Sequence, residues 1–168
     1  MLEIRGEFNG LDDVLAYLDR LGEQIEQGKR VPMQQSLDVV EQAVAVRTPV
    51  NIGALRGSLQ TTMRGQGVDL HGIMFSPLEY AVPVERGRRP GKMPPRDAIR
   101  YWVIRKNIAD GPEADRVAFA IAMAIAKGTS KGTANKGAHM FRDGWQEASP
   151  HIPGIWLRWL RGILGRAK

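Results

Sequence analysis

RTPVNIGALRGS, Arg47 to Ser58, divides the chain into a helical beginning and a strand-bearing middle. Pro49 disfavours helical dihedrals in the residue before it, so the helix running in stops at Thr48. Asn51 and Gly53 supply turn chemistry, because both tolerate dihedrals that other side chains resist. Leu55 returns the chain to the core, and Arg47 and Arg56 stay charged on either side of the bend. On composition alone this is a helix-to-strand connector with two solvated arginines.

Upstream of the bend, Leu11, Val14, Leu15, Leu18, Leu21 and Ile25 recur at spacings of three and four. That stripe predicts a helix from Leu11 to about Lys29. Asn9 suits its N-cap, and Asp12 and Asp13 sit where the helix dipole favours negative charge. A second helix opens at Pro32, buries Leu37, Val40, Ala43 and Val44, and ends at Pro49. The short connection Arg30-Val31 leaves the two helices either as a hairpin or as a bent pair.

Downstream, Leu59–Arg64 and Val68–Phe75 read as two strands, with Gly65-Gln66-Gly67 as the hairpin signal. Tyr80, Val82 and Val84 alternate, and Pro83 confines them to an edge strand or an extended arm. RGRRPGKMPPR, from Arg86 to Arg96, is a basic loop. Pro95 starts a third helix with Ala98, Ile99, Trp102 and Val103. Gly111-Pro112 separates it from a fourth, whose VAFAIAMAIA run is apolar nearly all round. That run is either the central core helix or meets a neighbouring subunit with its second face.

KGTSKGTANKG, from Lys127 to Gly137, is a flexible basic loop without an apolar anchor. Met140, Phe141 and Trp145 resume a helical pattern, which Pro150 and Pro153 interrupt. In the last segment Ile155, Trp156, Trp159, Leu160, Ile163 and Leu164 share a face, with Arg158, Arg161, Arg166 and Lys168 elsewhere. Such a helix docks on the core or a partner, or lies on a membrane surface.

The 168 residues predict a single domain with a core that needs no staples. The expected segments are helices within 10–47, a sheet within 55–86, helices within 95–127 and a helical segment over 139–168. Without cysteine there is no disulfide framework and no thiolate site. The N-terminus lacks a signal-peptide pattern, and no apolar run approaches bilayer length, so a soluble protein is expected. The net charge of +6 is polarised. Residues 1–84 hold 7 Lys/Arg against 11 Asp/Glu, a net −4, and residues 85–168 hold 17 against 7, a net +10. A chain so divided suits head-to-tail contact between copies, or an acidic partner on its basic face.

No catalytic constellation emerges. His71, His139 and His151 lack metal-ligand spacing, Ser58 has no nucleophile elbow, and KGTSKG is not a phosphate loop. Glu113 and Asp115 read as helix-dipole carboxylates, and Glu85 as a surface ion pair among arginines. No enzymatic activity, metal or cofactor is expected. The basic arms could neutralise phosphates non-specifically, but no nucleic-acid-binding signature accompanies them.

Thr48-Pro49-Val50-Asn51-x-Gly53-x-Leu55-Arg56-x-Ser58 and Tyr80-Ala81-x-x-Val84-Glu85-x-Gly87 together resemble a family of small tailed-phage proteins. These are called neck, tail-completion or minor tail proteins, of the lambda Z-like kind. Trp102-Val103-x-x-Lys106, Ala118-x-x-Ile121-Ala122 and Lys127-Gly128-Thr129 follow in the family's order, so the resemblance covers about residues 30–145. Asn51 departs from the usual Asp, Ile52 from Thr, and Arg88 from Thr. The resemblance implies a structural protein of the head–tail junction, working as a homo-oligomeric ring of six copies. The ring would complete the tail and help join it to the head, with genomic DNA passing through its lumen. Its implied partners are tail terminator, tail tube or head-closure proteins. Its implied place is the virion, with host cytoplasm during assembly and no membrane. Arg47, Arg56, Glu85, Arg86, Arg88, Arg89, Lys127, Lys131, Trp156 and Trp159 are the expected subunit or partner contacts.

The expected fold is α+β, a small antiparallel sheet packed against N-terminal and C-terminal helices, with long basic loops. Glu85→Lys or Arg56→Glu is expected to weaken ring formation or tail joining and leave the fold intact. The alternative function is a basic nucleic-acid-binding module.

Overall fold

A computed structural model describes residues 10–130 and 133–166. Asn9, Lys131 and Lys168 therefore lie outside the described residues. Helix α1 spans Leu11–Gly28 and α2 spans Arg30–Arg47, with Lys29 between them in helical dihedrals. Lys29 donates its N–H to Ile25 O, and Met33 donates to Lys29 O, so the ladder nearly continues through the junction. Pro32 has no N–H for the Gly28 carbonyl, and its ring crowds that carbonyl, which bends the rod. The two helices are a bent pair.

The bend after α2 contains a single helical turn, α3 (Ala54–Gly57), which follows Gly53 at φ +85°. Strands β1 (Gln60–Arg64) and β2 (His71–Phe75) then pair antiparallel, with Thr62 opposite Ile73. Among the described residues they are the whole sheet. The hairpin loop is longer than Gly65-Gln66-Gly67, because Gly67–Asp69 forms a 3-10 turn and delays β2 to His71. The hairpin lies on α2, with Gly72 facing Met33 and Leu37.

Tyr80–Val84 is not a strand. It belongs to helix α4, Ala81–Arg86, with Tyr80 at the N-cap. Pro83 falls in the first turn, where backbone N–H groups have no helical acceptor, so the missing donor is harmless. The alternation of Tyr80, Val82 and Val84 thus has no pairing partner behind it.

Helices α5 (Arg96–Arg105) and α6 (Gly111–Lys127) form a hairpin, burying Val103 against Ala114, Ala118 and Ala122. The alanines permit this close packing. Helix α6 is outside the main core, so the apolar run is not the central helix. After it, Thr133–Lys136 makes a helical turn, α7, inside the expected flexible loop. Helix α8 (Met140–Ala148) continues through a 3-10 turn at Ser149–His151 into α9 (Ile152–Arg166). Pro150 sits in the 3-10 turn and Pro153 in the first turn of α9. The prolines redirect the helix there and leave α9 unbroken.

The core forms where α2 crosses α8. Val40, Ala43 and Val44 meet Met140 and Ala148, and Leu55, Leu59 and Ala81 close the sides. A Cβ on Gly144 would lie 2.6 Å from Val44 Cγ2 and 2.9 Å from its Cα, so only glycine permits this crossing. The molecule is α+β and mostly helical, with its small sheet set against the N- and C-terminal helices.

Candidate functional site

The C-terminal end of α2 is where the Arg47–Ser58 stretch acts. The last carbonyls of a helix carry its negative dipole end. Here Val44 O and Ala45 O accept the Thr48 N–H, and side-chain donors add to it. Arg47 Nη1 donates to Ala43 O at 3.0 Å, Thr48 Oγ1 to Val44 O at 2.8 Å, and Arg56 Nε to Ala45 O at 2.7 Å. Arg47 Nη2 also pairs with Glu147 on α8. Ser58 Oγ accompanies this cap with a hydrogen bond to Leu55 O and a second to Ser76 Oγ, both at 2.8 Å. Ser76 follows β2, so the bend is tied to the end of the hairpin. Both arginines are engaged within the chain, tying the bend to the end of α2 and, through Arg47, to α8.

The Tyr80–Gly87 stretch is also a joint. Glu85 makes no ion pair among the described residues. Its carboxylate accepts from Phe141 N at 2.9 Å and Arg142 N at 3.1 Å, the second and third residues of α8. Val84 O and Glu85 O accept from Ala138 N and His139 N at 2.7 and 3.0 Å. Gly87 and Gly137, both at positive φ, pass so closely that a Cβ on Gly87 would lie 2.6 Å from Gly137 N. His139, the N-cap residue of α8, has φ 50° and no side-chain cap bond. The capping carboxylate therefore comes from the distant Glu85. Its sequence signal was weak, because an N-cap is normally sought next to its helix. Nearby, the hydrogen bond from Arg142 holds the Asp143 carboxyl below its ordinary pKa.

Beyond this joint lies an open groove of about 940 Å³ between α4, the loop after it, Gly128 and α7. Arg86, Arg88, Arg89 and Lys136 line it, and no carboxylate does. Three of the expected contact residues are thus brought together, and Lys127 stands next to Gly128 at the end of α6. Arg88 Nη2 donates to Lys92 O at 2.9 Å, and Gly91 N to Ala126 O at 2.9 Å, holding the loop against α6. Asn135 Nδ2 bridges Arg88 O and Ile125 O, both at 3.0 Å, while its Oδ1 is buried without a partner. Among the described lining residues every charged side chain is a cation, which gives the groove a positive field.

Trp156 and Trp159 lie apart from the groove. Their rings meet edge to face, 5.9 Å apart at 82°, and Trp159 rests on Gly28 of α1. Half-buried against α1 and α2, they anchor α9 to its own chain. Among the described residues no group of three or more His, Cys, Asp or Glu could hold a metal, and no helix is long and apolar enough to cross a membrane. Compared with known proteins, the chain matches no family model, no curated protein and no solved structure.

Proposed function

We propose that the chain is a structural subunit of a tailed-phage head–tail junction, assembling head to tail into a ring that admits DNA. The ring completes the tail and helps join it to the head. It acts without catalysis, in the virion and among tail terminator, tail tube or head-closure proteins. The resemblance carried by Thr48–Ser58 and Tyr80–Gly87 supplies the identity of the assembly. The observation supporting a subunit role is surface. Among the described residues helix α1 buries none of its side chains, and Leu11, Val14, Leu15 and Leu18 are all exposed. Contiguous exposed apolar surface of this kind is characteristic of protein–protein contact sites. Six-fold symmetry follows from the resemblance alone.

A second reading, a nucleic-acid-binding module, is favoured by the groove of Arg86, Arg88, Arg89 and Lys136. Sedimentation of the full chain over a concentration series, with and without duplex DNA, separates the two. A closed assembly of fixed copy number, ring-shaped in electron micrographs and weak toward DNA at physiological salt, supports the first. A monomer that binds duplex with a steep salt slope would sink it in favour of the second.

A further inference from the structure

Helix α1 is amphipathic yet buries no residue. Leu11, Val14, Leu15 and Leu18 are each between 50% and 60% exposed. Only its last turns lean on the rest of the chain, where Gln24, Gln27 and Gly28 meet Trp159 and Ile163. The main contacts of α1 are with α9 and α2, and Leu11, Val14, Leu15 and Leu18 toward its N-terminus stay exposed. A second uncovered apolar face lies on α5, where Tyr101 and Ile104 are 61% and 37% exposed, and Ile108 just beyond is 51% exposed.

The two faces carry opposite charge. Helix α1 holds Asp12, Asp13, Asp19, Glu23 and Glu26 against Arg20 alone. Around the α5 face stand Arg96, Arg100, Arg105 and Lys106 against Asp97 and against Asp115 of α6. Asp115 pairs with Arg100 at 3.0 Å, and the face keeps a net positive charge. Pairing α1 with α1 of another copy would bring like charges together, and an anionic lipid surface would repel the same carboxylates. Pairing α1 with α5 joins apolar surface to apolar surface and acid to base. We infer that the N-terminal half of α1 is a docking helix, seating its leucine stripe on the outer face of α5 in a second copy of the chain. This inference rests on the ring reading, for which it names the contact. Because α1 and α5 are different surfaces, each copy keeps one of each to offer. The contact is heterologous and propagates until a ring closes.

The test uses the full chain with two double variants, Leu15→Glu with Leu18→Glu, and Tyr101→Glu with Ile104→Glu. All four positions lie at the surface, and circular dichroism checks that each variant keeps its helices. Sedimentation is expected to show each variant associating at least about tenfold more weakly than the parent. Mixing the two variants is expected to restore association, but only to pairs, since one intact α1 meets one intact α5 and nothing remains to extend the chain. A parent ring unaffected by either variant overturns this contact and leaves the ring reading standing. An α5 variant that still pairs, when the α1 variant does not, overturns it in favour of α1 self-pairing. A parent that stays monomeric at every concentration overturns both.

Discussion

Glu85 and Phe141, 56 residues apart, are joined by a 2.9 Å hydrogen bond from the Phe141 N–H to the Glu85 carboxylate. The bond brings an acidic side chain from α4 to the positive end of α8, whose other face forms the core against α2. Glu85→Ala is expected to destabilise the protein by about 1–2 kcal/mol, the usual loss for a helix-capping side chain. Glu85→Gln should lose less, since an acceptor remains, and Glu85→Lys more. Urea denaturation of the three variants checks the order. The position of Glu85 beside a connection, away from the core, predicts that Glu85→Lys leaves the fold intact. Its bonds to Phe141 N and Arg142 N predict a loss of stability instead, and the denaturation series decides between them.

Arg56 donates to Ala45 O from an exposed position, so solvent moderates its contribution. Arg56→Ala should lower stability by roughly 0.5–1.5 kcal/mol, and Arg56→Glu by more, because it sets a negative charge on the negative end of α2. The pair of half-buried Arg47 with exposed Glu147 contributes less, and Glu147→Gln should cost under about 1 kcal/mol. Thermal melts at low and high salt would separate the charge effect from the hydrogen bond.

Gly144→Ala is expected to destabilise by at least about 2 kcal/mol, because its methyl group would overlap Val44 at the core crossing. Val44→Ala in the same chain should recover only part of the loss. It removes the Cγ2 clash but leaves Val44 Cα and N, each 2.9 Å from the new carbon. A double-mutant cycle in denaturant measures this. Full recovery would mean the helices separate easily.

Lys29 is nearly buried at the α1–α2 bend and donates to Gly67 O at 2.6 Å in the hairpin loop, with Glu26 beside it. Lys29→Met keeps the stem and removes the donor. It should cost about 1–3 kcal/mol, the range for leaving a carbonyl without its charged partner. Hydrogen exchange should show the 65–70 loop opening before the strands. Uniform loss of protection would count against a local tie.

Arg86→Ser with Arg89→Ser removes two groove cations without touching a described hydrogen bond. If DNA phosphates enter the groove, the slope of log affinity against log salt should flatten by about 0.9 for each phosphate that is no longer neutralised. Fluorescence anisotropy of labelled duplex over a salt series reads this directly. An unchanged slope would place DNA elsewhere.

The sequence by itself determined the long helices and the bend. Periodic leucines set α1, Pro49 ended α2, and Gly65-Gln66-Gly67 between two strand-like runs placed the hairpin, because these signals act over a few neighbouring residues. Tyr80–Val84 was misread because alternation and a proline fit both an edge strand and the first turn of a helix, and only packing chooses between them. Candidate residues were legible as charges but not as partners. Arg56 and Glu85 sit beside the two joints the sequence singled out, yet Ala45 and Phe141 are unmarked acceptor and donor whose positions depend on the whole fold. The stripes of α1 and α2 show the same limit. Both predict an amphipathic helix, but α2 is covered by α8 and α1 stands open. Local spacing fixes which side of a helix is apolar, and only the arrangement of distant elements decides what, within the chain or beyond it, covers that side.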